Sequence, residues 1–296
     1  MIHQMAPWVP QFIQSCKNHT QAFTPFYFAT LDTQTSRPRC RTVVFRDFLF
    51  HDKRNNVLTF TTDMRGDKVK EITETGSITA PFEACFYFPS TWEQYRFSGH
   101  CFVVSRNSVP PLSETYNDTA PDTVGYPILS PGVYGDAQEP HHHESIVSDE
   151  DNDNDQNASR LRSALSRTST RSSAGSETHA MLTPEDYRPP TVREWQQELS
   201  RQWIDVSRST KAQFRKPDPG TPITSETTRQ LDKIQRGVDG ANEDAGFDNF
   251  GLVCLCVDEV DYLNLKDGRG GERWKFHRHT EPDTGLDTWE EEEVCP

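Results

Sequence analysis

The chain has 296 residues, 45 acidic against 31 basic side chains and a net charge of −14, with a mean hydropathy of −0.78. The length admits one large domain or two ordinary ones, and the low apolar content places part of the chain outside any packed core. The negative balance argues against a general nucleic-acid binder, which shows a basic face. No apolar run approaches the ~20 residues that span a bilayer. The first residues also lack the basic-then-apolar pattern of a secretion signal, so no membrane role is expected and the cytoplasm is the default, with the nucleus left open.

In chain order, Trp8 to Asn18 reads as a helix, with Trp8, Phe12 and Ile13 on one face and Pro10 in the first turn. Strands follow at Phe26–Leu31, Arg39–Phe45, Val57–Thr61, Ala84–Phe88 and Tyr95–Val104, rich in aromatic and β-branched residues. A short helix over Arg65–Thr73 separates the third from the fourth, with Val69 and Ile72 at helical spacing. Five strands with one intervening helix predict a mainly β fold built on an antiparallel barrel.

The pattern stops after Arg106. From 107 to 188 the chain reads as a disordered acidic and Ser-rich insertion. Twelve Asp or Glu stand against four Arg between Asn107 and Ala180, so much of the net charge is local to it. It holds the triplet His141-His-His143, open to a metal ion or to no role. It also holds an Arg/hydroxyl run at Arg160–Ser173, open to basophilic kinases or to no role. Order returns at residue 189. Thr191 with Glu194 forms a capping box before the apolar stripe Trp195, Leu199, Trp203 and Val206, and that helix is expected to end before Lys216-Pro-Asp-Pro-Gly220. Ile223–Glu243 reads as a polar loop. Strands then return at Phe250–Val257, Glu259–Leu265 and Glu272–Phe276, with a Gly-rich hairpin at 267–271. Residues 279–296, with Glu290 to Glu293, read as an acidic solvated tail. The seven cysteines include no Cys-x-x-Cys pair and fit buried free thiols better than a disulfide framework or a metal site, Cys254 and Cys256 included.

Three motifs carry chemistry. In Arg41-Thr-Val-Val-Phe-Arg46, Arg41, Val43 and Phe45 share one strand face, while Thr42, Val44 and Arg46 share the other. A planar ring can lie along such an edge with an arginine at its polar rim. In Phe60-Thr-Thr-Asp-Met-Arg-Gly-Asp-Lys68 a strand ends in hydroxyls and a helix begins. Gly66 allows close approach there, Arg65 offers a fork and Lys68 a point charge to a phosphate. In Trp92-Glu-Gln-Tyr-Arg-Phe-Ser-Gly99, the Gln94 amide both donates and accepts, as a flavin edge requires. No nucleophile elbow, Walker loop or dinucleotide fingerprint occurs, so any chemistry falls to a cofactor.

With these motifs in this order, the chain resembles the pyridoxamine 5′-phosphate oxidase-like, FMN-binding split-barrel family, and is most similar to its short cyanobacterial, plant and fungal branch. The resemblance covers about residues 6–106 and 190–278. It includes Trp203, Gln213-Phe214, Pro217-Asp-Pro-Gly220 and the final strand pair through Phe276. It implies a split β-barrel domain over 6–106, completed by a helix and strands over 189–278. FMN would be held by Arg41, Thr42, Val43, Val44, Phe45, Arg46, Phe60, Thr61, Arg65, Gly66, Lys68 and Gln94, with Arg46 also contacting substrate. A homodimer with flavin at the subunit interface is implied as well. Gly66 stands where the branch has serine. The Tyr…Arg…Ser segment and the Arg-x-His of true pyridoxamine-phosphate oxidases find no match. The expected function is therefore an FMN-dependent oxidoreductase of unassigned substrate, the alternative being a non-catalytic flavin- or vitamer-binding regulatory protein.

Overall fold

The computed structural model describes residues 2, 4–116, 120, 122–134, 182–237, 242, 244–266 and 270–296. Its strands are β1 (Thr24–Asp32), β2 (Arg37–Phe48), β3 (Val57–Asp63), β4 (Ala80–Phe88), β5 (Glu93–Ser105), β6 (Phe250–Asn264), β7 (Glu272–Thr280) and β8 (Asp287–Val294). They form one antiparallel sheet in the order β3-β2-β1-β4-β5-β6-β7-β8, and a β3–β6 pairing closes the first six into a barrel. The mainly β, split-barrel expectation holds.

The long β6 makes the closure. Residues 250–256 run against β3, residues 259–264 run against β7, and β5 follows it along nearly its whole length. Between the halves Asp258 is the extra residue of a bulge opposite Ser98 and Gly99. A Cβ on Gly99 would lie 2.2 Å from the Cys256 carbonyl oxygen, so only glycine lets the strands approach here.

Alternation along the strands sends Phe26, Phe28, Phe45, Phe60, Phe86 and Phe97 inward. Helix α1 (Val9–Asn18) adds Trp8 and Phe12 to these rings, with Phe12 centroids 5.1 Å from Phe86 and 5.2 Å from Phe97. Helix α2 (Asp67–Thr73) buries Val69 and Ile72 on the same core. On the outer face, α3 (Val192–Ile204) packs Trp195, Leu199 and Trp203 against Phe102, Val104, Leu252 and Cys254. Its Thr191–Glu194 capping box is formed as read from the sequence.

Four expectations change. The single helix expected to run to before Lys216 ends at Ile204, with Val206 in the link, and Ser207 caps a new one, α4 (Arg208–Lys211), by accepting from the Thr210 N–H. The polar stretch after Ile223 contains α5 (Ser225–Gln235), whose capping box at Thr224 and Thr227 compensates for a single buried residue, Ile234. The acidic tail is strand β8, where Glu292 stands opposite Lys275 and Glu290 opposite His277, while Trp289 packs 6.2 Å from Trp8. The expected insertion is ordered at its described ends, since Val124, Tyr126, Ile128 and Tyr187 are buried. Residues 135–181, with the histidine triplet and the Arg/hydroxyl run, lie outside the described residues, as do 267–269 of the expected hairpin.

Candidate functional site

Strand β2 pairs with β1 from Arg37 to Phe45 but with β3 only from Phe45 onward. Residues 37–44 thus have a strand on one side and an open edge on the other, leaving backbone donors and acceptors there for another partner. The parting comes at a bulge between Phe45 and Asp47, where Arg46 is the extra residue and leaves the regular alternation. Beyond the parting, β3 stays with β6, and the Met64–Gly66 turn leads into α2. Val69 and Ile72 fix the helix to the core, which turns Lys68 and Glu71 toward the open β2 edge. The result is an open pocket of about 740 Å³ lined by Arg41, Thr42, Val43, Gly66, Lys68 and Glu71, with the β1–β2 hairpin and Pro219 at its rim. That volume is in the range of small-molecule sites.

The cations in and near the pocket differ in their partners. Arg41 bonds Glu71 at 2.5 Å and Thr30 at 2.6 Å, and lies over the Phe28 ring. Lys68 has no hydrogen bond or ion pair among the described residues, although Asp63, Asp67 and Glu71 are near. Its ammonium curls back over Gly66, where a Cβ would meet Nζ at 3.3 Å. Burial, and then the charge of Arg41, push its pKa below the usual lysine value. Among the described residues the Arg46 guanidinium makes a single long hydrogen bond, 3.4 Å to Thr61 Oγ1. Burial lowers its pKa as well, only partly offset by Asp205. An unpaired ammonium over a glycine, an open strand edge and an under-bonded guanidinium suit a ligand with an anionic end and a polar planar end.

Of the residues singled out from the sequence, Arg41, Thr42, Val43, Gly66 and Lys68 meet in the pocket. Arg46 and Thr61 meet each other beside it, on the outer side with Val44. Phe45 and Phe60 point into the barrel core, so their side chains reach no cofactor and only their backbone could. Arg65 is turned away, bonded to Asp63, Asp218 and two carbonyls. Gln94 stands on the outer face of β5, opposite Tyr87 of β4. β5 is three strands from β2 in the sheet, about 14 Å at ordinary strand spacing. The reading of the sequence missed Glu71 and Thr30, which occupy Arg41. The signal for Glu71 was its position three residues after Lys68 on the same helix, which places both on one face.

Residues 5–105 match the family model described as pyridoxamine 5′-phosphate oxidase, FMN-binding domain. The chain is 50% identical to the uncharacterized Saccharomyces cerevisiae protein YGR017W, with the whole of both chains covered. It is 31% identical to Arabidopsis thaliana pyridoxine/pyridoxamine 5′-phosphate oxidase 2 over 35% of this chain and half of that protein's length. Among solved structures, a pyridoxamine 5′-phosphate oxidase-related, FMN-binding protein of Nostoc punctiforme superposes with a TM-score of 0.56 at 20% identity, covering 99% of this chain and 98% of that one. PhzG of Burkholderia lata, in complex with tetrahydrophenazine-1-carboxylic acid, superposes with a TM-score of 0.51 at 12% identity, covering 97% and 90%. At these identities the two structures share the fold with this chain.

Proposed function

The chain belongs to the pyridoxamine 5′-phosphate oxidase-like, FMN-binding split-barrel family, and from that premise we propose that it is an FMN-dependent oxidoreductase whose cofactor lies along the open edge of β2. The observation that carries this reading is the unpaired Lys68 ammonium over Gly66 at that edge. The residues present fit FMN: Lys68 and the close backbone approach at Gly66 would hold the phosphate, with Arg41 beside them. Thr42 and Val44 on β2 would hold the ring, and Thr61 with Arg46 would meet its polar groups. FMN, when bound, supplies a ring that takes up two electrons and a proton from a substrate. Arg46, half-buried and with one long hydrogen bond among the described residues, would be placed to orient a polar or anionic substrate group against that ring.

Gln94 cannot serve the pocket of its own chain, and a second copy would bring it there. Tyr27 (54% exposed), Tyr87 (51%) and Trp92 (55%) present an apolar surface around it, of the kind an interface covers. The reading therefore includes a homodimer in which each copy lends its β5 face to the other's flavin.

The first test is the visible spectrum of the purified protein, with identification of any released chromophore. A flavin spectrum and released FMN support the reading, and a colourless protein that takes up no added FMN ends it. Light scattering of the flavin-loaded protein then tests the dimer. Gln94→Ala is expected to shift the flavin absorbance bands without changing the mass.

A further inference from the structure

Arg65 follows the end of β3, in the turn that leads to Gly66 and Lys68. A guanidinium has five N–H donors, and here every one is engaged. Nε and Nη2 form a fork on Asp63, at 3.0 and 2.7 Å. Nη1 donates to the Lys216 carbonyl and to Asp218, both at 2.9 Å. Nη2 also donates to the Phe214 carbonyl at 3.3 Å. Three of the five bonds thus reach one segment, residues 214–218, about 150 positions away in the chain. That segment continues into Pro219, which lines the cofactor pocket.

The composition of the segment explains why it needs such a partner. In Lys216-Pro-Asp-Pro-Gly220 two prolines remove backbone donors, so the segment cannot join a sheet edge in the ordinary way. Its carbonyls remain, and Arg65 and Asn249 supply the donors, Asn249 reaching the Phe214 carbonyl at 2.8 Å. Phe214 is anchored in the outer core, with its ring 5.6 Å from Trp203 and 5.3 Å from Phe250. Beyond Phe214, Arg65 bonds the strap at Lys216 and Asp218.

We propose that Arg65 is a positioning residue which closes the 214–219 strap as a wall of the cofactor pocket, and is not itself a ligand of the cofactor phosphate. The proposal rests on the flavin reading of the pocket. It makes the C-terminal third of the chain a condition for holding the cofactor, through the strap whose Pro219 lines the pocket.

Removing Asp218 gives the two roles opposite signs. Were Arg65 a phosphate ligand, Asp218 would compete with the phosphate, and Asp218→Ala would tighten FMN binding. For a strap tie, Asp218→Ala weakens FMN binding by about two- to fivefold, the range of one exposed charge pair. The exposed Asp218 leaves the core untouched, so this variant folds. Arg65→Ala is expected to weaken FMN binding by tenfold or more, and Arg65→Lys, which has no fork, to recover little of it. The second readout is limited trypsin cleavage of the flavin-free proteins after Lys211 and Arg215, expected to be faster in all three variants than in the wild type. Tighter or unchanged FMN binding in Asp218→Ala overturns the proposal, and so does a wild-type cleavage rate in Arg65→Ala. If wild-type protein takes up no FMN, the functional reading falls, and the cleavage rates alone decide whether Arg65 holds the strap.

Discussion

Two charged regions flank the bulge at Arg46 and are built on opposite plans. Under α3, the buried Asp47 accepts from His51 Nδ1 at 2.7 Å, Arg201 Nη1 at 3.0 Å and the Phe48 N–H at 2.8 Å. Arg201 forks on Glu198 at 2.6 and 2.7 Å, and Gln202 joins Glu198 to Thr59 with two bonds of 3.0 Å. Charges there are matched and shielded, which is how a helix is fixed to a barrel wall. On the other side of the bulge, Lys68 has no hydrogen bond or ion pair among the described residues, and Arg46, in the bulge itself, has one long bond among them. Desolvating a cation without pairing it is costly, and such sites mark function more often than structure. The contrast separates the charges matched within the fold from those that the proposed function assigns to a ligand.

Breaking the matched side gives the largest effect. Arg201→Ala strands the Asp47 and Glu198 carboxylates, and its urea unfolding free energy is expected to fall by about 3 kcal/mol. On the unmatched side, Lys68→Ala should leave flavin-free stability nearly unchanged and weaken FMN binding by about 2 kcal/mol, roughly thirtyfold, in a fluorescence-quenching titration. Arg46→Met sharpens the contrast further. It removes a desolvated, under-bonded charge, so the flavin-free protein should gain about 1 kcal/mol and melt higher while substrate turnover falls. A lower melting point for Arg46→Met would place Arg46 among the structural charges.

The smallest effect is a pH slope confined to the matched side. The hydrogen bond to Asp47 holds His51 above its usual pKa of 6.5, against the effect of burial. Burial pushes Asp47 up, and the His51 bond with Arg201 outweighs it, so Asp47 lies below its usual 3.8. The His51 contribution is complete below 6.5 and lost as pH rises through its raised value. The Asp47 contribution is present above 3.8 and lost as pH falls through its lowered value. Stability under α3 should therefore peak between these limits. The urea midpoint is expected to drop on the alkaline side of 6.5, and His51→Asn to flatten that drop. An unchanged slope in His51→Asn would assign the pH dependence elsewhere.

Much of this was legible in the chain because the information was local. Alternation marked Phe26, Phe28, Phe45 and Phe60 as strand residues, and Thr191 with Glu194 announced a helix start within four residues. The motif around Gly66 and Lys68 placed an anion seat at a strand-to-helix turn, and the structure keeps those two with Arg41, Thr42 and Val43 in one pocket. β8 was misread for the converse reason. A run of four glutamates has no strand signature of its own, and its pairing rests on what the fold sets beside it: Arg278 on Asp287, His279 on Thr288, and Trp8 against Trp289.

By itself, then, the sequence determined the strand faces and the caps, and marked the strand-to-helix turn at Gly66 and Lys68, since each follows from spacing of two to four residues. Tertiary structure alone decided which cations are free. Lys68 is unpaired because β2 leaves β3 at Phe45, Arg65 is engaged because a proline-rich strap about 150 residues later lacks donors, and Gln94 lies three strands from the pocket because β1 and β4 intervene in the sheet. Pairing of charges depends on what the fold brings within about 4 Å, and no local pattern encodes that.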